Sequence, residues 1–265
     1  MEDFKAENPI AVFDSGVGGI SVLREIHRLL PGEDCLFFGD SKNAPYGEKS
    51  TDKVLELTSS CVDYFLEKKA KAVVLACNTA TSAAAKKLRE KYQDLIIIGL
   101  EPAVKPAVLW DYKKGGVPAR ILVMATELTL REKKFLNLAS RCRDKAEIIS
   151  LPAPGLVRLV ESGKSGSEEM AEYLEEILAP YKENPVDSVV LGCTHFPFAR
   201  ADIKRILGDV PFFDGAEGAA RQLKRRLKEE NLLDLSGKKG TITFENSSES
   251  GVQLALSKEL FSAEI

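Results

Sequence analysis

Short apolar runs alternate with longer amphipathic segments along this chain, and no other feature of the sequence constrains its fold as strongly. The apolar runs are rich in β-branched residues, which is typical of strands buried in a parallel sheet. The amphipathic segments are long enough for helices, so the pattern predicts an α/β fold whose mostly parallel sheets are flanked by helices. We predict strands at 10–13, 35–38, 72–75, 96–100, 121–124, 147–151, 188–191 and 211–213. We predict helices at 19–30, 51–68, 81–92, 130–140, 167–181, 199–206 and 216–230, with a further edge strand at 241–244.

The same succession of segments occurs twice. A strand and polar turn at 10–16 precede a strand with a cysteine loop at 73–79, and 121–127 stands in the same relation to 189–195. Two pseudo-symmetric α/β domains that face each other across a cleft explain this repetition most simply. The active site is then expected in the cleft.

The domain boundaries follow from two further segments. The first domain is expected to end near Leu100-Glu101-Pro102. The chain is expected to return to it near Pro211, because Phe212-Phe213-Asp214-Gly215 resembles a strand end that would lie beside Asp14. The predicted domains are residues 1–99 together with 211–265, and residues 100–210.

Composition excludes several classes of protein. The 265 residues carry a net charge of −3, and basic residues are interleaved with acidic ones, which gives no electrostatic reason to expect a nucleic-acid partner. No segment has the roughly 20 apolar residues that a membrane span needs, and the charged N-terminus lacks the apolar core of a signal peptide. The protein is therefore expected in the cytoplasm. The odd count of five cysteines, the absence of a CxxC motif and the presence of only two histidines argue against disulfides and structural zinc.

The cysteine loops are the strongest candidates for chemistry. Val73-Val74-Leu75-Ala76-Cys77-Asn78-Thr79 matches Val189-Val190-Leu191-Gly192-Cys193-Thr194-His195 in its pattern of apolar run, small residue, cysteine and polar residues. Ligand sites in α/β folds lie beyond the carboxyl ends of strands. A single cysteine there could be a small buried hydrophobe. Two matched copies instead indicate one substrate held between two acid/base thiols.

The loop Asp14-Ser15-Gly16-Val17-Gly18-Gly19 is predicted to bind an anionic group. It lacks the spacing of a dinucleotide-binding motif and the lysine of a P-loop. A tight turn from strand to helix would expose backbone N–H groups, which hold a carboxylate as readily as a phosphate. Asp14 adds a charge or a hydrogen-bond acceptor at the mouth of the cleft.

Several motifs together resemble those of the glutamate racemase family, within the aspartate/glutamate racemase superfamily, and their order agrees over nearly the whole chain. The matching segments are Asp14-Ser15-Gly16-Val17-Gly18-Gly19, Phe38-Gly39-Asp40 with Pro45-Tyr46-Gly47, Ala76-Cys77-Asn78-Thr79-Ala80, Glu101-Pro102-Ala103 and Gly192-Cys193-Thr194-His195. The resemblance implies a cofactor-independent amino-acid racemase that supplies D-glutamate for bacterial peptidoglycan. It implies no cofactor and no metal.

Inversion of an α-carbon requires a base on one face and an acid on the other. The resemblance assigns deprotonation of the D-isomer to Cys77 and of the L-isomer to Cys193. A free cysteine has a pKa of about 8.5, so each thiol needs a neighbour that favours the thiolate or relays the proton. Asp14 is the candidate for Cys77, and His195 is the candidate for Cys193.

The substrate-binding residues are predicted from two sources. Short polar side chains beside the thiols suit the α-amino and α-carboxylate groups of an amino acid, and they are Ser15, Asn78, Thr79 and Thr194. Asp14 and His195 are expected to touch the substrate as well. The resemblance adds Tyr46, Gly47, Thr126, Thr129 and Glu161, of which Glu161 is expected to tune the electrostatics of the second domain.

Three alternative functions stay open from the residues. An aspartate or hydantoin racemase would use the same pair of thiols. A cysteine hydrolase needs a histidine base on another segment, and His195 is only two residues from Cys193. A non-catalytic amino-acid-binding protein would not need two thiols. The expected partner is small-molecule glutamate, with no nucleic acid and no membrane, and a homodimer is the assembly considered.

Overall fold

The computed structural model describes residues 4–115 and 118–263, and at 112–115 and Lys134 it describes the backbone alone. The chain divides into two compact units. The first consists of the residues up to Leu100 together with Ala216–Ala263, and the second of Glu101–Gly215.

Each unit contains one sheet with helices around it. The strands are β1 Ile10–Asp14, β2 Cys35–Gly39, β3 Ala72–Leu75, β4 Ile96–Gly99, β5 Ala119–Ala125, β6 Ala146–Pro152, β7 Ser188–Leu191, β8 Phe212–Phe213 and β9 Ile242–Asn246. The helices are α1 Ile20–Leu29, α2 Thr51–Glu67, α3 Asn78–Lys91, α4 Val104–Gly115, α5 Glu127–Arg131, α6 Lys133–Arg141, α7 Pro154–Glu161, α8 Glu168–Glu183, α9 Arg200–Leu207, α10 Ala216–Glu229 and α11 Val252–Ser262. Short 3-10 helices lie at Ser41–Asn43, Tyr46–Glu48 and Phe196–Ala199.

The two sheets repeat one strand arrangement. The first has the order β4-β3-β1-β2-β9 and the second the order β6-β5-β7-β8, and every pairing in both is parallel. In each sheet the strand that carries a cysteine at its end pairs with the strand that opens the unit, as β3 does with β1 and β7 with β5. Parallel strands are covered on both faces by helices, which is why β3 and β7 are buried throughout and consist, apart from Ser188, of apolar residues. The α/β fold class predicted from the sequence is confirmed.

One strand assignment from the sequence was wrong. Phe212–Phe213 pairs with Val189 and Val190 of β7, so it belongs to the second sheet and does not lie in the sheet that carries Asp14. The chain consequently passes back to the first unit at Ala216, the start of α10, and not at 211. A two-residue apolar strand has no periodicity of its own, so only its hydrogen-bonding partner decides which sheet it joins.

Several helices also differ from the prediction. Helix α3 begins at Asn78 and not at residue 81, so Cys77 is its N-cap. The single helix predicted at 130–140 is two helices, because Glu132 has an extended backbone conformation. Helices α4, α7 and α11 were not predicted. The predicted edge strand is present as β9, which pairs with β2.

A buried ion pair lies at the opposite end of the first sheet from its cysteine loop. Lys71, just before β3, has its Nζ 2.5 Å from Glu33 Oε2, and both side chains are almost completely buried. Glu33 Oε1 accepts a hydrogen bond from the backbone N–H of Asp234 (2.9 Å), and Lys71 also donates to the carbonyl oxygen of Ala6. The pair therefore ties the N-terminal segment and the 231–240 loop to the sheet.

Lys71→Met should lower the free energy of unfolding by roughly 3 to 5 kcal/mol, because it leaves the Glu33 carboxylate buried without its cation. Urea denaturation followed by circular dichroism measures this loss. The double variant Lys71→Met with Glu33→Gln is the matched control and should be less destabilised than the single variant. A double variant that loses more than Lys71→Met would contradict the ion-pair explanation.

Among the residues described, no helix combines the length and the apolar character that a bilayer-spanning helix needs.

Candidate active site

The first unit brings its cysteine loop to the carboxyl end of the sheet. Cys77 follows β3 and is the N-cap of α3, where its Sγ accepts a hydrogen bond from the backbone N–H of Ala80 (3.4 Å). Ser15 Oγ, which follows β1, lies 3.4 Å from the same Sγ. The side chain is buried, with 6% of its surface exposed. A helix N-terminus carries partial positive charge, so this position favours the thiolate form of Cys77.

The residues after Cys77 lie in the first turn of α3. Asn78 is 5% exposed, and its Oδ1 is a buried acceptor for which the described residues supply no hydrogen-bond donor. Buried polar atoms are paired in most folded proteins. Thr79 is buried beside it. The Asn78 oxygen is therefore free to accept a hydrogen bond from a bound ligand.

Tyr46 and Gly47 lie in a 3-10 helix after β2. The buried Tyr46 hydroxyl donates a hydrogen bond to Asp40 Oδ2 (2.6 Å), and Asn43 Nδ2 donates to both carboxylate oxygens of Asp40 (3.0 and 3.1 Å). Burial, and then the hydrogen bond to Asp40, raise the pKa of Tyr46 well above its usual value. Tyr46 is consequently a neutral phenol whose proton is committed to Asp40, and its oxygen can accept a further hydrogen bond.

Asp14 closes the turn between β1 and α1. Its side chain is completely buried, and its Oδ2 accepts a hydrogen bond from the backbone N–H of Gly16 (3.1 Å). A Cβ atom at Gly19 would lie 2.6 Å from the Asp14 Cβ atom, so this position requires a glycine. The turn therefore holds a buried carboxylate beside Ser15, which contacts the Cys77 sulfur.

The second unit places its cysteine after β7. Cys193 Sγ lies 3.5 Å from Nδ1 of His195, and Nε2 of His195 lies 2.6 Å from Oε1 of Glu161. Glu161 is the last residue of α7. Cys193, His195 and Glu161 thus form a hydrogen-bonded chain in which the imidazole connects the thiol to a carboxylate.

The charge on His195 depends on these two neighbours. Burial lowers the pKa of His195, but the hydrogen bonds and charges of Cys193 and Glu161 outweigh it and raise the pKa well above its usual value. A protonated imidazole would donate from Nδ1 to the sulfur and from Nε2 to the carboxylate. The imidazole is thus placed to exchange a proton with the Cys193 sulfur.

Hydroxyl groups accompany the second thiol as they do the first. Thr194 is buried next to Cys193. Thr126 is the N-cap of α5, with its Oγ1 accepting a hydrogen bond from the backbone N–H of Thr129 (3.3 Å) and lying 3.0 Å from Thr129 Oγ1. Because β5 pairs with β7 as β1 pairs with β3, Thr126 is the counterpart of Ser15.

The two thiols occupy equivalent positions in their own units. The backbone N–H of Ala76 donates to the carbonyl oxygen of Phe13 (2.8 Å), and that of Gly192 donates to the carbonyl oxygen of Met124 (2.7 Å). The cysteine follows directly in each case. Their supports differ, since Cys77 caps a helix and Cys193 contacts an imidazole and, through it, a carboxylate.

The sequence-predicted residues therefore fall into two groups, defined as follows. The first half-site comprises Asp14, Ser15, Tyr46, Gly47, Cys77, Asn78 and Thr79. The second half-site comprises Thr126, Thr129, Glu161, Cys193, Thr194 and His195. Sequence reasoning named Asp40 only as part of a matching motif and not as a site residue, although it directly follows β2 at the same edge of the sheet, a position that marks it as a candidate.

The remaining cysteines do not follow the carboxyl end of a strand. Cys35, Cys61 and Cys142 are buried. Burial raises the pKa of Cys35 to about 12, and burial together with Asp40 raises the pKa of Cys61 to about 12. Both are therefore protonated thiols at neutral pH. In the parts of the chain that the structure describes, no cluster of three or more histidine, cysteine, aspartate or glutamate side chains could hold a metal ion.

Comparison with known proteins gives one consistent family. A family model described as Asp/Glu/Hydantoin racemase matches residues 10–223. A glutamate racemase of Clostridium novyi is 50% identical over 254 residues, which are 95% of this chain and 96% of that protein. The structure of glutamate racemase from Francisella tularensis in complex with D-glutamate is similar, with a TM-score of 0.81, 25% identity and coverage of 98% and 95% of the two chains. So is that from Escherichia coli in complex with L-glutamate and an activator, with a TM-score of 0.77, 30% identity and coverage of 90% and 98%.

Proposed function

The chain belongs to the Asp/Glu/hydantoin racemase family, and on that premise we propose that it is a glutamate racemase in which Cys77 and Cys193 are the two acid/base groups. The observation that carries the proposal is the pair of buried thiols at equivalent strand ends of two similar units, with Cys77 capping a helix and Cys193 in contact with His195. The glutamate racemases of known structure that resemble this chain bind D-glutamate in one case and L-glutamate in another, which supports glutamate as its substrate.

The mechanism follows from the acidity of the α-proton. This proton is very weakly acidic, so a base must remove it while an acid stands ready on the opposite face of the carbon. In the proposed cycle one cysteine is a thiolate and the other a thiol, and they exchange these states at each turnover. Cys77 takes the proton from D-glutamate and Cys193 takes it from L-glutamate.

Neighbouring groups assist proton transfer at each thiol. The N-terminus of α3 and the backbone N–H of Ala80 stabilise the thiolate of Cys77. His195, held by Glu161, lies against the Cys193 sulfur and can supply or accept its proton. We assign Asp14 to the first half-site as the group that assists Cys77.

The polar residues of the half-sites would hold the amino acid. The buried Oδ1 of Asn78 is an acceptor suited to the substrate ammonium group. Hydroxyl groups and loop N–H groups suit its carboxylates. The hydroxyl residues are Ser15, Thr79, Thr126, Thr129 and Thr194, and Tyr46 with Gly47 completes the set.

In a bacterial cell the product would supply D-glutamate for peptidoglycan, and we place the enzyme in the cytoplasm, where free thiols stay reduced. The homodimer considered from the sequence stays a prediction. An aspartate or hydantoin racemase is the alternative, because the family includes those activities and the paired thiols serve them equally.

We expect purified protein, dialysed against a chelator, to convert L-glutamate to D-glutamate in heavy water without added cofactor. The product should carry deuterium at the α-carbon, because it receives its hydrogen from the opposite cysteine, which has exchanged with the solvent. Remaining substrate should stay largely unlabelled early in the reaction, because each cysteine returns to its own face the proton that it removed there. Optical rotation and mass spectrometry follow both quantities, with L-aspartate as the competing substrate. Unlabelled product would indicate a single base. Faster conversion of aspartate than of glutamate would favour an aspartate racemase. Activity that returns only with pyridoxal phosphate or a divalent metal would contradict the two-thiol mechanism.

A further inference from the structure

We propose that Thr81 is a positioning residue that holds Cys77 in its reactive place, an inference that builds on the proposed function. Thr81 is buried in the first turn of α3, four residues after Cys77. Its Oγ1 donates a hydrogen bond to the carbonyl oxygen of Leu75 (3.0 Å) and accepts one from the backbone N–H of Leu100 (2.9 Å). One hydroxyl group therefore connects the end of β3, the start of α3 and the chain that leaves β4.

These bonds hold the cysteine loop at both of its ends. Leu75 is the last residue of β3, two residues before Cys77. The backbone N–H of Thr81 donates to the carbonyl oxygen of Cys77 itself (2.9 Å). The N–H that contacts the Cys77 sulfur belongs to Ala80, the neighbour of Thr81. Any displacement of Thr81 would therefore move both Cys77 and the donor that stabilises its thiolate.

The glycine at position 99 makes this arrangement sterically feasible. A Cβ atom at Gly99 would lie 2.6 Å from Thr81 Cγ2 and 3.2 Å from Thr81 Oγ1. The first distance is shorter than real side chains allow, so the end of β4 can approach Thr81 only without a side chain. The absence of a side chain at Gly99 thus lets the backbone pack against Thr81, which brings the Leu100 N–H within hydrogen-bonding distance of the hydroxyl.

The second half-site is built differently. The residue four positions after Cys193 is Pro197, which has no hydroxyl group and lies in the 3-10 helix Phe196–Ala199. Cys193 contacts His195 instead. The hydroxyl of Thr81 consequently acts on one thiol of the pair, and its loss should affect the two thiols unequally.

Alkylation tests this inference independently of the reaction catalysed. The rate at which iodoacetamide modifies Cys77 is measured against pH in Cys193→Ala and in Cys193→Ala with Thr81→Val, with peptide mass spectrometry identifying the modified residue. Thr81→Val should shift the midpoint of the profile upward by roughly half a unit or more, because the thiolate loses part of its hydrogen bond to N–H. The profile of Cys193 in Cys77→Ala should not change when Thr81→Val is added. An unshifted Cys77 profile, or equal shifts of both thiols, would overturn the proposal even if glutamate is not the substrate.

Kinetics of the full-length enzyme provide the second test. Thr81→Val should lower kcat by roughly tenfold to a hundredfold, since small displacements of a reacting group cost that much. It should raise the primary α-deuterium isotope effect on kcat/KM for D-glutamate, where Cys77 removes the proton, and not for L-glutamate. Thr81→Ser, which keeps the hydroxyl, should have the kcat and the D-glutamate isotope effect of the wild type. Thr58→Val is the matched control, because Thr58 is a buried threonine whose hydroxyl bonds to Val54 within α2, and it should leave the isotope effects unchanged.

A double variant tests the contact between Thr81 and Gly99. Gly99→Ala should slow the enzyme as Thr81→Val does, because the added methyl group collides with Thr81 Cγ2. Thr81→Ser removes that methyl and should recover much of the lost activity in the Gly99→Ala background. A Thr81→Ser, Gly99→Ala variant no faster than Gly99→Ala, or an isotope effect in Thr81→Val that rises equally for both enantiomers, would show that Thr81 has only a general role in folding.

Discussion

Alanine at Cys77 or at Cys193 should abolish racemisation of glutamate in both directions, with kcat lowered by roughly a thousandfold or more. In the proposed mechanism each thiol serves one face of the α-carbon, so the loss of either removes a base in one direction and an acid in the other. The measurement is circular dichroism of glutamate started from each pure enantiomer. Unfolding curves of the variants confirm that they remain folded.

The other three cysteines are the controls for this experiment. Cys35→Ala, Cys61→Ala and Cys142→Ala remove buried thiols that lie outside the half-sites. They should keep catalysis nearly intact, with a loss of stability of roughly 1 to 3 kcal/mol for a truncated buried side chain. If Cys77→Ala or Cys193→Ala were instead as active as these controls, the strand-end thiols would have to be structural.

His195→Asn should slow racemisation by roughly a hundredfold or more, because Cys193 loses the imidazole that contacts its sulfur and that relays its proton in the proposed mechanism. The Haldane relation ties the ratio of kcat/KM in the two directions to the equilibrium constant, so the asymmetry must appear in individual steps. The primary α-deuterium isotope effect should rise for L-glutamate, the isomer that Cys193 deprotonates in the proposed mechanism. Asp14→Asn is the matched variant in the first half-site and should raise it for D-glutamate. Identical isotope effects in both variants would contradict the assignment of Asp14 to Cys77 and of His195 to Cys193.

The contribution of the His195–Glu161 pair to the free energy of unfolding should depend on pH. The pKa of His195 is raised in the folded protein, so the free energy gained from the pair with Glu161 is fully present below about pH 6.5, the usual value for histidine. It is lost as the pH rises through the folded pKa. The difference in unfolding free energy between the wild type and Glu161→Gln should therefore shrink as the pH rises. A difference that grew with pH would contradict a protonated His195.

Local sequence was enough to locate most of the strands and both cysteine loops. A buried parallel strand needs only an apolar β-branched run, and the turn after it needs only small and polar residues, so β3 with Cys77 and β7 with Cys193 are evident from short windows. The duplication of this pattern also indicated two similar units. Motif resemblance then predicted residues of both half-sites without any coordinates.

Contacts between distant segments were not accessible in this way. Glu161 lies 34 residues from His195, and α7, which carries it, was not predicted. Residue 81 was predicted as the start of a helix, whereas its hydroxyl in fact bridges Leu75 and Leu100.

The sequence by itself therefore determined the α/β class, the strand ends and the two thiols, because side-chain periodicity and turn chemistry act over a few residues. Only the tertiary structure decided that β8 joins the second sheet, that Asp40 holds Tyr46, and that the Thr81 hydroxyl bridges Leu75 and Leu100. These features depend on which backbone and side-chain groups meet after the chain has folded. Such pairings are selected by packing and hydrogen-bond satisfaction over the whole unit, and a local pattern does not specify them.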